Sequence, residues 1–101
     1  MTLTSAQAVV VNAVGFQQTS CGSWTQARAN HQSAGMEFWA MGFVSGANVA
    51  RYADDKIDVL KGVDGAALWG WLDNYCRSKP REFFLVAVGY LVIELRQRAQ
   101  Q

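Results

Sequence analysis

The sequence predicts an all-α domain of four helices stapled by one disulfide. Three observations carry that reading. Apolar residues recur at spacings of three and four over several segments, the signature of helices with a buried stripe. The single proline, Pro80, stands between two of those segments. The two cysteines, Cys21 and Cys76, lie more than fifty residues apart, and in an oxidising compartment they pair.

At 101 residues the chain is one domain whose single core is feasible but marginal. A covalent staple or a subunit interface would help it. Half of the residues are hydrophobic and 17% are charged, the profile of a packed domain with a buried face to spare. The formal net charge of +1 supplies no global attraction to nucleic acid or to an anionic membrane. No apolar run approaches the roughly 18 residues that a transmembrane helix needs. Ser5-Ala6-Gln7-Ala8 looks like the end of a signal peptide cut after Ala8, but Met1 to Thr4 supplies neither a basic nor an apolar region. Either the chain begins inside a signal or the match is chance.

Residues 1–19 read as an N-terminal arm and residues 20–101 as one helical domain. Within the arm, residues 9–18 change period, and Val9, Val10 and Val11 suit an extended strand or a poor helix. Ser23 is the expected N-cap of a short helix running to about Asn30. His31 to Gly35 reads as a loop. A long helix is expected from Met36 to Ala53, with Trp39, Phe43, Ala47 and Ala50 on its stripe and Phe38 beside it. Gly42 and Gly46 fall on another side, where close approach of a second helix backbone would offset about 1 kcal/mol each against alanine. Asn48 and Asn74 are expected to hydrogen-bond backbone groups where helices approach.

Ile57, Val59 and Leu60 anchor a connection, and Asp64 caps a helix over residues 65–78. Leu68, Trp71, Leu72, Tyr75 and Cys76 share its inner stripe, which points Cys76 into the core. Pro80 suits the first turn of a last helix over residues 80–98. That helix is apolar nearly all round, so it is central in the bundle or shared with another subunit. A disulfide closing so long a loop is worth roughly 4 kcal/mol in the chain-entropy model.

Three blocks carry a resemblance: Ser20-Cys21-Gly22-Ser23-Trp24 followed by Arg28, Trp39 to Asn48, and Trp71 to Pro80. Together they resemble small secreted proteobacterial proteins laid out like HdeA-type periplasmic acid-stress chaperones. They are also similar to periplasmic immunity proteins that neutralise amidase effectors of type VI secretion. The similarity spans roughly residues 20–98 and implies a short helical domain stapled by a disulfide. From it only the Cys21–Cys76 pair is carried over. This chain is poorer in charge than the HdeA group and carries four tryptophans, which weakens the acid-chaperone reading.

Other chemistries find less support. A Cys–His nucleophile would join Cys21 or Cys76 to His31, oriented by Asn30, but catalysis needs an exposed thiolate. Asp54, Asp55, Asp58 and Asp64 cluster in sequence, yet their spacing fits no calcium loop. Arg77, Lys79 and Arg81 flank a helix junction, where solvation and the helix dipole explain them. Trp69 lies off its stripe, either as peripheral core or as an interface anchor. The resulting expectation is a non-enzymatic periplasmic protein-binding domain without cofactor or metal. It would self-associate as a homodimer, touch neither nucleic acid nor membrane, and use Trp69, Phe83, Val86, Tyr90 and Ile93 as its interface. The alternative is an acid-stress holdase.

Overall fold

The computed structural model describes residues 12–101, so the signal-like residues up to Ala8 and the valines at 9–11 lie outside the described residues. Four helices follow in order: α1 Cys21–Ala29, α2 Ala34–Asp55, α3 Gly65–Ser78 and α4 Phe84–Ala99. The described residues contain no strand, only an isolated antiparallel bridge between Ser20 and Phe83. The all-α reading therefore holds. No helix of the described residues is long and apolar enough to cross a membrane.

Helix α4 is the hub, packing against α1, α2 and α3, and α1 also packs on α3. Its inner face, Phe84, Ala87, Val88, Leu91 and Leu95, is buried. Trp24 stacks on Phe84 with ring centres 5.1 Å apart, and Trp39 approaches the same ring at 5.9 Å. The expectation of a central last helix is met, because three neighbours share one apolar cylinder.

Cys21 and Cys76 are bonded and both fully buried, with Cα atoms 4.7 Å apart. The bond ties the first residue of α1 to the last turn of α3. Backbone bonds reinforce the same joint. Cys21 N–H donates to the Glu82 carbonyl (2.8 Å), Gly22 N–H to the Pro80 carbonyl (2.9 Å), and Phe84 N–H to the Thr19 carbonyl (2.6 Å).

This joint corrects two expected boundaries. Ser20, not Ser23, caps α1: its hydroxyl accepts the Ser23 N–H at 3.1 Å. The last helix begins at Phe84 and not at Pro80. The carbonyls of Pro80 and Glu82 are engaged by α1, whose first N–H groups have no partner within their own helix. Residues 80–83 therefore stay out of the helix and serve as a cap for its neighbour.

Helix α3 and its Asp64 cap stand where the sequence places them, with Asp64 Oδ1 accepting the Ala67 N–H at 2.9 Å. Helix α2 is longer than expected, starting at Ala34 and ending at Asp55, so only a short turn separates it from α1. Its buried ridge is Met36, Ala40 and Val44; Trp39, Phe43 and Ala47 are half-buried flanks and Ala50 is exposed. Phe38 is 72% exposed. Gly42 and Gly46 face open space, since a Cβ at either would meet nothing within 4 Å. The expected close helix inside the domain is absent there.

Asn48 bonds the connection after α2, accepting the Val59 N–H (3.0 Å) and donating to Asp58 (2.9 Å). Asn48 therefore does bond a backbone group, in the connection and not on a neighbouring helix, whereas Asn74 is exposed and accepts from Arg77 of its own helix, so the expectation fails there. The described arm is irregular but docked. Phe16 meets the edge of Trp39 at 6.3 Å, and Trp39 Nε1–H donates to the Val14 carbonyl. Gly15 has φ +116°, and a Cβ there would overlap the Trp39 indole.

Candidate functional site

The outward side of α4 is the leading candidate surface. Spacing alone puts Val86, Tyr90 and Ile93 opposite the buried Phe84–Val88–Leu91–Leu95 ridge. Tyr90 and Ile93 are each 50% exposed, and Val86 is half-buried. Phe83, just before the helix, is also exposed.

Helix α3 extends this surface. Trp71 and Tyr75, one turn apart, stack with ring centres 5.2 Å apart, and Tyr75 lies 5.9 Å from Tyr90. The result is an aromatic row, Trp71–Tyr75–Tyr90, bridging two helices. Sequence reasoning placed Trp71 and Tyr75 in the core. Their offsets of minus one from Leu72 and Cys76 signal a flank instead, since only Leu68, Leu72 and Cys76 are buried.

Tyr75 is held in place by its polar end. Its hydroxyl donates to Glu82 Oε2 at 3.0 Å, and the Lys79 ammonium sits 6.0 Å over its ring. Burial, and then the bond to Glu82, push the phenol above its usual range, so it stays a donor at physiological pH. Arg77, Lys79 and Arg81 are all exposed at this end of the molecule. The row thus runs from a cationic turn to the apolar middle of α4.

Trp69 occupies the other flank of α3. It packs 5.9 Å from Trp24 and covers Gly65, away from Tyr75 and Tyr90. Phe83, Val86, Tyr90 and Ile93 come from one segment, whereas Trp69 belongs to the α1 side.

A second concavity lies between α1 and α3, lined by Thr25, Arg28, His31, Asp73 and Arg77. Its polar floor is structural. Arg28 grips Asp73, Trp24 Nε1–H donates to the same carboxylate at 2.9 Å, and Glu37 takes Ser33 (2.6 Å) and Arg28 (3.3 Å). His31 stands at its rim, exposed, with φ +57° in the left-handed region. The sulfurs of Cys21 and Cys76 are bonded to each other, which leaves His31 no thiol to activate.

Three of the four aspartates around the α2–α3 connection are individually occupied, and Asp54 is exposed at the end of α2. Asp55 accepts the Ile57 N–H and pairs with Arg96, Asp58 accepts from Asn48 and Leu60 N–H, and Asp64 caps α3. Among the described residues, no group of three or more His, Cys, Asp or Glu side chains could hold a metal ion. Comparison with family models, with curated proteins and with solved structures finds no match to this chain.

Proposed function

We propose that this chain is a disulfide-stapled, non-enzymatic protein-binding domain of an oxidising envelope compartment, working through the α4 face and its aromatic row. The observation that carries the reading is the exposed pair Tyr90 and Ile93 on α4, with the half-buried Tyr75 of α3 packed 5.9 Å from Tyr90. Aromatic side chains on a rigid scaffold supply large contact area at low entropic cost, which suits anchors of protein–protein contact. The buried disulfide agrees with a secreted location, where such bonds persist. The immunity-like form of this reading makes the partner a secreted effector. Of the blocks that carry that resemblance, residues 20–28 and 71–80 form the disulfide joint, and Trp71 and Tyr75 belong to the aromatic row.

A photo-crosslinking residue placed at Tyr90 tests it in bacterial envelope extract. The expected result is one discrete crosslinked protein, lost when Ile93→Glu is added. An equal yield from a probe at Thr25, or no product at Tyr90, would sink the reading.

The acid-stress holdase is the second reading, favoured by the Asp55–Arg96 pair that joins the C-terminal ends of α2 and α4. Protonation of Asp55 in acid releases that tie and exposes apolar surface. Dye binding that stays flat between neutral pH and about pH 2 excludes it.

A further inference from the structure

Helix α2 presents a second apolar face, separate from the α4 surface. Phe38 and Val49 are each 72% exposed, and Met41 and Tyr52 are exposed beside them. Phe38, Gly42, Ser45, Val49 and Tyr52 recur at spacings of four, three, four and three. That alternation traces one stripe along the exposed side of the helix, the spacing along which paired helices meet. The positions flanking the seam are Trp39, Met41, Gly46, Asn48 and Ala53, none of them charged. A solvent-facing helix ordinarily carries its charges on this side.

We propose that α2 pairs antiparallel with α2 of a second copy of this chain, making a weak homodimer across the Gly42–Gly46 face. The register is set by the seam itself. With the two-fold axis between residues 43 and 44, Gly42 lies against Ser45 of the other copy and Phe38 against Val49. Small residues meet at the centre, where the backbones come closest, and large apolar groups clasp on either side. The same order read in reverse satisfies itself, as an isologous contact requires. The antiparallel arrangement also opposes the two helix dipoles. An uncharged face offers nothing to a charged partner, and it matches its own copy in charge as well as in shape.

The glycines gain their reason here. Each is open in the monomer and weakens the helix relative to alanine, and close approach from outside offsets that cost. The seam covers four turns, only about 20 Å of helix. That is short of a standard interface of about 800 Å² per partner, so the affinity falls in the micromolar range.

Sedimentation equilibrium of the full chain from about 10 μM to 1 mM tests this. The expected result is a reversible monomer–dimer curve. Phe38→Glu with Val49→Glu should abolish it while the helical spectrum stays unchanged. Gly42→Ala carries a sharper signature: it should raise the melting temperature of the monomer by several degrees and weaken the dimer at least about tenfold. Ile93→Glu, on the other face, should dimerise like the parent. The proposal is overturned by a chain that stays monomeric to 1 mM, or by a dimer untouched by Phe38→Glu with Val49→Glu. It is equally overturned by a dimer as tight in Gly42→Ala, or by one lost in Ile93→Glu. Since partner crosslinking at Tyr90 reads the α4 face alone, failure of either idea leaves the other standing.

Discussion

Arg28 on α1 holds Asp73 on α3 with two parallel bonds, Nε to Oδ1 at 3.0 Å and Nη2 to Oδ2 at 2.9 Å. Asp73 draws the guanidinium still further above its ordinary value. The same carboxylate accepts the indole N–H of Trp24, which is fully buried. Removing Asp73 therefore breaks a forked ion pair and strands a buried donor. Asp73→Ala should cost about 2–3 kcal/mol, most of it from the unpaired indole. Arg28→Lys, which loses the fork but keeps the charge, should cost about 1 kcal/mol. Urea denaturation measures both, and an Asp73→Ala loss no larger than that of Arg28→Lys would refute this division.

Replacing Cys21 and Cys76 together by alanine should lower stability by about 2–4 kcal/mol. The damage should begin locally. The amides of Cys21, Gly22 and Phe84, bonded across the joint, should lose hydrogen-exchange protection before those of Leu91 and Leu95. Uniform loss of protection along the chain would contradict this order.

Acid and alkali should act on different parts of the fold. Asp55 is held below the usual carboxylate range, first by the Ile57 N–H and then by Arg96. Asp58 is lowered likewise, first by the Asn48 amide and then by the Leu60 N–H. A lowered folded value gives a contribution that is present above about pH 4 and lost as pH falls through that value. Tyr75 has the opposite sign. Its raised value gives a contribution present below about pH 10 and lost as pH climbs further. Melting curves across pH should show both limbs, with Asp55→Asn flattening the acid one and Tyr75→Phe the alkaline one.

His31 and Lys56 follow the C-terminal ends of α1 and α2 with φ of +57° and +59°, in the left-handed region. Gln32 N–H reaches back to the Ala27 carbonyl at 2.8 Å, the closure usually built on glycine. His31→Gly should therefore stabilise the chain by about 0.5 kcal/mol, relief of left-handed strain exceeding the added chain entropy. A lower melting temperature in this variant would show that the His31 side chain contributes packing or binding.

Local signals were legible wherever a polar cap met a one-sided stripe. Asp64 followed by Leu68, Leu72 and Cys76 is such a case, and helix α3 follows it from end to end. The start of α4 was hidden because Pro80 suits a first turn in isolation. What keeps it out is the demand of Cys21 and Gly22, nearly sixty residues earlier in the chain, for acceptors. The inner ridge of α2 was misjudged because residues 38–50 carry no charge, so composition does not say which side is wet. Tyr90 and Ile93 were readable from the all-apolar α4. The offset of Trp71 and Tyr75 from Leu72 and Cys76 marks them as a flank, but their meeting with Tyr90 depends on how α3 and α4 cross and is written in neither helix alone.

The Cys21–Cys76 bond also decides how the chain bears tension. Load applied at the two ends passes from Cys21 through the sulfur bridge to Cys76, and the 55-residue interval between them never enters the path. All of α2 lies in that interval. Under oxidising conditions roughly 190 Å of contour length stays hidden from an extensional force, and a reductant releases it in one step.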